Sequence, residues 1–153
     1  RFDAHEFVEQ VSQQGASAVV VDHPLELPIA QLVVADTRIA LGQLGALNRE
    51  QFFGQVVAVT GSAGKTSVKE MLSVMFSSLS PTLATQGNLN NDIGAPLTLL
   101  ELAPKHEFAV IELGASAVGE IEYTSALTRP NVAILNNAMD AHVEGFGSLE
   151  NIV

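Results

Sequence analysis

The stretch Val56-Val57-Ala58-Val59-Thr60-Gly61-Ser62-Ala63-Gly64-Lys65-Thr66-Ser67 decides how the rest of this chain is read. An apolar, β-branched run ends in a glycine-containing turn, and a long segment of helical periodicity follows. A strand that passes through glycines into a helix turns several backbone N–H groups toward one point, and the helix start adds positive potential there. Lys65 stands where an ammonium reaches the β- and γ-phosphates of a nucleotide, and Thr66 where a hydroxyl ligates Mg2+. Gly61, Ser62, Ala63, Gly64, Lys65, Thr66 and Ser67 are therefore the expected nucleotide-binding residues, with ATP and Mg2+ as cofactors. The full Walker pattern wants glycine where this chain has Val59, so the match is to a shorter form, T-G-S-x-G-K-T. A chance Gly-Lys-Thr in an ordinary strand-to-helix connection is the bland alternative, and the flanking elements argue against it.

Downstream of the loop, Val68, Met71, Leu72, Met75 and Leu79 fall on one helical face, and Pro81 stops the helix. Strands are expected at 82–85, 108–113 and 132–135, with helices near 96–102 and 119–127. Strands alternating with helices predict an α/β fold, a mostly parallel doubly wound sheet carrying the phosphate loop. Upstream, a loose helical stripe covers 2–14, and strands are expected at Ala18–Val21 and Leu32–Ala35. Asp36 or Thr37 then caps a helix running to about Arg49. A junction at 49–54 makes residues 1–50 the end of a small α/β domain and residues 51–153 the front of a central nucleotide-binding domain.

Composition narrows the partners. The chain has 153 residues and a net charge of −10, with 17 acidic residues against seven basic ones. Nucleic-acid backbones need a Lys/Arg-rich surface, and no such cluster exists, so no nucleic-acid partner is expected. An anion must instead be held by local devices: backbone N–H groups, one lysine and a divalent cation. The chain has no cysteine, which removes thiolate nucleophiles and Cys-type zinc sites. No apolar run approaches the roughly 18 residues that span a bilayer, and no signal-peptide core is present. Neither membrane insertion nor export is expected, and the simplest reading is a cytoplasmic monomer. Because the chain starts at Arg1, a trimmed piece is expected.

Glu112 ends the apolar strand Phe108–Leu113, at the edge where open α/β sheets bind ligands. A glutamate there either lies on the surface at the sheet edge or ligates metal; Gly114 close behind, with the family resemblance given below, makes metal ligation the expectation. Asn88, Asn90 and Asn91 beside Gly87 either form turns or contact substrate, and substrate contact is the expectation. His5, His23 and His106 support no functional claim, and Glu101, Glu107, Glu120 and Glu122 read as a solvated face.

Several segments together resemble the Mur ligase family, which also includes folylpolyglutamate synthetases. They are the short phosphate loop, Thr85-Gln86-Gly87-Asn88-Leu89-Asn90-Asn91-Asp92-Ile93-Gly94 with Pro96-Leu97-Thr98, and Val110-Ile111-Glu112-Leu113-Gly114-Ala115. Ala141-His142-Val143-Glu144-Gly145-Phe146-Gly147-Ser148-Leu149 and the opening Arg1-Phe2-Asp3-Ala4-His5-Glu6-Phe7 complete the set. The branch most resembled adds D-alanyl-D-alanine to UDP-N-acetylmuramoyl-tripeptide during peptidoglycan precursor synthesis. The resemblance implies an ATP-dependent amide ligase working through an acyl phosphate. Lys65, Glu112 and His142 would be its catalytic residues, Thr66, Glu112 and His142 its metal ligands, and Asn88, Asn90 and Asn91 its substrate contacts. It further implies a three-domain enzyme, with a carbamylated lysine and a C-terminal domain beyond Val153. The isolated chain is then expected to bind nucleotide without turning over. One departure stands out: the family's Asn-His after Gly-Ala is here Ser116-Ala117. The alternatives are another Mur ligase, a folylpolyglutamate synthetase, or a nucleotide-binding piece without catalysis.

Overall fold

The computed structural model describes residues 3–139 and 146–148. The chain separates into two compact units, Arg1–Ala40 and Leu41–Val153.

In the first unit a 3-10 turn, Ala4–Phe7, is capped by Asp3, whose carboxylate accepts the His5 N–H at 3.0 Å. It runs into α1 (Val8–Gln13). β1 (Ala18–Val21) and β2 (Ala30–Val33) pair in parallel, from Ala18↔Ala30 to Val21↔Val33. β2 therefore starts at Ala30, earlier than the apolar run Leu32–Ala35 suggests. The cause lies in the preceding loop, where the Gln31 side chain ties down both the N–H and the C=O of Leu25, each at 2.8 Å. α2 (Thr37–Glu50) begins at the expected cap, with Asp36 Oδ1 accepting from the N–H groups of Arg38 and Ile39 at 2.8 and 3.1 Å.

The second unit is the doubly wound sheet. β3 (Gln55–Thr60), α3 (Lys65–Ser77), β4 (Thr82–Ala84), α4 (Gly94–Leu100), β5 (Phe108–Glu112), α5 (Glu120–Thr128) and β6 (Val132–Leu135) follow in chain order. The strands lie in the order β4-β5-β3-β6, all parallel. Helices on both faces leave β3 and β5 buried on both sides, which is why each reads as a continuous apolar run rather than an alternating one. Alternate residues still part company. Val56, Ala58, Ala109 and Ile111 face a core closed by Phe52, Ala95, Leu99 and Leu102, with Ile121 and Leu127 against it. Val59 and Val110 face the other way, onto Val68, Leu72 and Phe76 of α3. Each fully buried valine, leucine or isoleucine among them contributes about 1.5–3 kcal/mol.

The stripe expected on α3 is only partly the buried one. Val68 and Leu72 pack on the sheet as predicted, but Met71 and Met75 are 65% and 62% exposed, and Leu79 is exposed too. The core-facing row is completed by Phe76, which stacks on Phe108 at 4.7 Å, and by Lys69, which is only 1% exposed. Hydropathy alone put the thioethers on the core-facing stripe and passed over Lys69. A lysine can instead lay its four-carbon stem in the packed layer and carry its ammonium to a margin, here to Glu70 Oε1.

The end of α2 fastens the far side of this unit. Asn48 Nδ2 donates to the carbonyls of Leu99 and Leu102 at 2.8 and 3.0 Å, satisfying the end of α4. Arg49 does the same for α5, through Thr128 O and Arg129 O, both at 2.8 Å. Among the described residues no helix is long and apolar enough to cross a membrane.

Candidate functional site

The site forms at the C-terminal ends of β3, β5 and β6, where the chain leaves the sheet and ligands bind in folds of this kind. β3 releases the chain at Thr60, whose hydroxyl donates to Leu113 O at 2.8 Å and so ties the loop mouth to the end of β5. Gly61 and Gly64 then take φ of +136° and +74°, a region that L side chains rarely adopt. Gly64 is the N-cap of α3 and brings no side chain to its first turn. The N–H groups at the start of a helix have no intrahelical acceptor, so this terminus keeps its donors for an outside anion. Lys65 Nζ donates to Gly61 O at 2.7 Å, which bends the ammonium back over the loop.

Glu112 stands opposite. Its side chain is 1% exposed at the end of β5, and its backbone N–H donates to Thr85 Oγ1 at 2.9 Å. Oε1 accepts from Thr66 Oγ1 at 3.2 Å and from Asn90 Nδ2 at 2.8 Å, while Oε2 is buried with no hydrogen-bond partner. A buried carboxylate oxygen without a donor is costly, and a cation offsets that cost. The donor set is all oxygen, from a carboxylate and a neighbouring hydroxyl, which fits a hard divalent ion such as Mg2+.

The structure brings together most of the residues singled out from sequence. Thr66 and Glu112 meet directly, Asn90 joins them through Glu112, and Lys65 precedes Thr66 at the start of α3 with its ammonium on the loop. Asn91 works locally, with its Oδ1 accepting from Gly94 N–H at 2.8 Å to cap α4. Asn88 lies on the exposed Gly87 turn. His142 lies outside the described residues. The Ser116-Ala117 loop is organised by Glu120, whose Oε2 accepts the Ser116 N–H at 2.6 Å and the Ala117 N–H at 3.3 Å. His5 and His23 pair with Asp3 and Asp22 at the surface of the first unit.

Sequence reasoning passed over Asn136 and Asn137, just beyond β6. Their side chains reach the phosphate loop: Asn136 Nδ2 donates to Ala63 O at 2.8 Å, and Asn137 Oδ1 accepts the Ala63 N–H at 2.9 Å. The available signal was positional. β6 neighbours β3 in the sheet, so the residues leaving both strands have to meet.

Comparison with known proteins agrees with this geometry. The Mur ligase middle domain matches residues 59–153. The UDP-N-acetylmuramoyl-tripeptide--D-alanyl-D-alanine ligase of Escherichia coli strain K12 is 55% identical over 152 residues, covering 99% of this chain and 34% of its own length. The ligase of the same name from Bacillus subtilis is 40% identical over 155 residues. Among solved structures, MurF from Acinetobacter baumannii superposes with a TM-score of 0.95 at 55% identity, over 99% of this chain and 34% of that one. MurF ligase from Thermotoga maritima, solved in complex with ADP, superposes at 0.91 with 34% identity, over 99% of this chain and 36% of that one. The chain thus spans about a third of the length of the relatives it matches. On the sheet order, the loop and these matches, the chain belongs to the Mur ligase family.

Proposed function

We propose that this chain is the phosphate-binding part of an ATP-dependent ligase that joins D-alanyl-D-alanine to UDP-N-acetylmuramoyl-tripeptide in peptidoglycan precursor synthesis. The observation that carries the reading is the mouth of α3, where Lys65 folds over the phosphate loop and Thr66 meets the half-satisfied Glu112. The relatives named above support the choice of substrates, and the ADP held by the Thermotoga protein supports the choice of nucleotide.

The chemistry asks for little beyond charge control. A free carboxylate is a poor electrophile because its leaving group would be oxide. Its oxygen therefore attacks the γ-phosphorus of ATP, ADP departs, and an acyl phosphate results. The amine of D-alanyl-D-alanine then attacks the acyl carbon, inorganic phosphate leaves, and the amine gives up a proton as the amide forms. Two anions have to meet in the first step, so the site's task is electrostatic. Lys65 leaves Gly61 O for the β- and γ-phosphates, and the N–H groups at the start of α3 hold phosphate oxygens. Mg2+, when bound, offsets phosphate charge; Glu112 and Thr66 would hold it, with His142 as a further ligand. Asn90 orients Glu112 from the loop assigned to the peptidyl substrate, so that loop and the metal ligand are mechanically joined. Residues 1–50 would then end the UDP-substrate domain and residues 51–153 begin the central ATP-binding domain of a cytoplasmic, monomeric enzyme.

The isolated chain is expected to bind Mg-ADP without ligating. Calorimetry comparing the native chain with Lys65→Ala tests the site: affinity should fall about tenfold or more, and equal affinity would remove the phosphate-loop reading. Turnover of the tripeptide with D-alanyl-D-alanine by these residues alone would remove the incomplete-enzyme reading.

A further inference from the structure

We infer that Asn136 and Asn137, on the segment leaving β6, are positioning residues that clamp the phosphate loop in the shape a polyphosphate needs; the inference rests on the site reading above. Four polar groups of residues 62 and 63 are engaged by this one segment. Ser62 N–H donates to Asn137 O at 3.0 Å. The Ser62 hydroxyl donates to Met139 O at 3.0 Å and accepts from Met139 N–H at 2.9 Å. Asn137 grips residue 63 at both ends, its Oδ1 taking the Ala63 N–H at 2.9 Å and its Nδ2 donating to Ala63 O at 3.0 Å. Asn136 Nδ2 adds a second bond to that carbonyl at 2.8 Å.

A planar amide suits this grip because it presents an acceptor and a donor side by side. A carboxylate in its place would face the Ala63 carbonyl with like partial charge, and an alanine would leave both groups of residue 63 open. The clamp is itself referenced to the strand that feeds the loop. β6 pairs with β3 up to Thr60↔Leu135, and Asn136 N–H continues the ladder to Thr60 O at 2.9 Å. The two loop glycines record the same contact independently. A Cβ on Gly61 would lie 2.9 Å from Asn137 O, and one on Gly64 would lie 2.9 Å from Asn136 Nδ2. The motif's glycines therefore admit the asparagine segment as well as the left-handed turns. With residues 62 and 63 held outward, the N–H groups at the start of α3 are the ones left for the ligand. A loop fixed in advance loses less conformational freedom on binding, which is where the affinity gain arises.

The test compares the native chain with Asn137→Ala and Asn136→Ala. Mg-ADP affinity is read by calorimetry, and amide hydrogen exchange at Ser62 and Ala63 by NMR. Asn137→Ala should bind Mg-ADP on the order of tenfold more weakly. Asn136→Ala, which keeps the Ala63 N–H bond, should lose about two- to threefold on the same argument. In the native chain the Ala63 amide should be protected before nucleotide is added. In Asn137→Ala it should exchange freely until Mg-ADP binds, while amides of β3 and β5 stay protected, which separates positioning from a general loss of stability. If Asn137→Ala does not fold, Asn136→Ala carries the affinity readout, and protection of the Ala63 amide is read in the native chain. Unchanged affinity in the folded variants, or an Ala63 amide that exchanges freely in the native chain, overturns the clamp. Failure of the native chain to bind Mg-ADP overturns the underlying site reading instead, and the exchange data still decide whether the clamp exists.

Discussion

Glu112 shows what a single residue can disclose before a structure is in hand and what it holds back. Its place at the end of an apolar strand, where an open sheet faces the ligand crevice, nominated it together with Gly114 and the loop's resemblance to the family. The divided state of its carboxylate was not legible. One oxygen receives Thr66 and Asn90, while the other is buried without a donor. On the proposed reading, a carboxyl oxygen kept without a donor costs stability that metal binding returns. Glu112→Gln is accordingly expected to raise the melting temperature of the nucleotide-free chain, since a buried acceptor oxygen left without a donor costs on the order of 1 kcal/mol or more. The same variant should lose the Mg2+ dependence of ADP binding. Calorimetry with Mg2+ and with EDTA reads this, and a variant whose ADP affinity still responds to Mg2+ would remove Glu112 from the metal site. Asn136 and Asn137 were illegible for a different reason. An asparagine pair after a strand has the composition of any turn, and its meaning comes from a neighbour reached only through the sheet order.

At the scale of the element, α3 was found at once and misoriented in part. Its start was fixed by the loop and its length by Pro81, but its buried face was read from hydropathy, which cannot see a lysine stem packed as an aliphatic chain. The position makes a direct test. Lys69→Met keeps the stem's volume and removes the ammonium, and should change stability by less than about 1 kcal/mol in either direction. Lys69→Ala opens a void against the sheet and should cost about 2 kcal/mol or more. Urea unfolding of both variants settles the comparison, and equal costs would mean the charge, not the packing, holds the residue in place. At the helix mouth, Gly64→Ala meets both a positive φ and Asn136 Nδ2. It should lower stability by about 1–2 kcal/mol and weaken nucleotide binding, because the left-handed conformation disfavours any Cβ.

For the whole molecule, the alternation of strands and helices after residue 55 carried the fold class, since the period of the apolar pattern changes at every element boundary. The boundary of β2 was less legible, because Gln31, a polar residue, is what places it. The pH response of the fold belongs to this scale. Burial, then the Lys105 charge, pushes His106 below the ordinary histidine value of 6.5, against a smaller opposing pull from Glu101. Its Nδ1 accepts from Ala103 N–H at 3.2 Å, a bond the protonated ring cannot accept. The folded state thus binds a proton here less readily than the unfolded one. Stability from this group is present above about pH 6.5 and is lost as pH falls from there through the lowered folded value. The melting temperature of the native chain relative to His106→Gln should therefore decline over that interval, and a difference that does not vary with pH would contradict the assignment.

The bond from Lys65 Nζ to Gly61 O, at 2.7 Å, changes how ligand capture at this mouth should be counted. Before anything binds, the ammonium already has an acceptor belonging to the loop, so an arriving anion replaces a contact instead of adding one. The net gain is a difference between a charged partner and a neutral one. A lone orthophosphate gains that difference at the ammonium alone, whereas a di- or triphosphate reaches the ammonium and the helix start together. On the proposed reading, calorimetry should show the chain preferring a diphosphate to orthophosphate, and Lys65→Ala should narrow that preference.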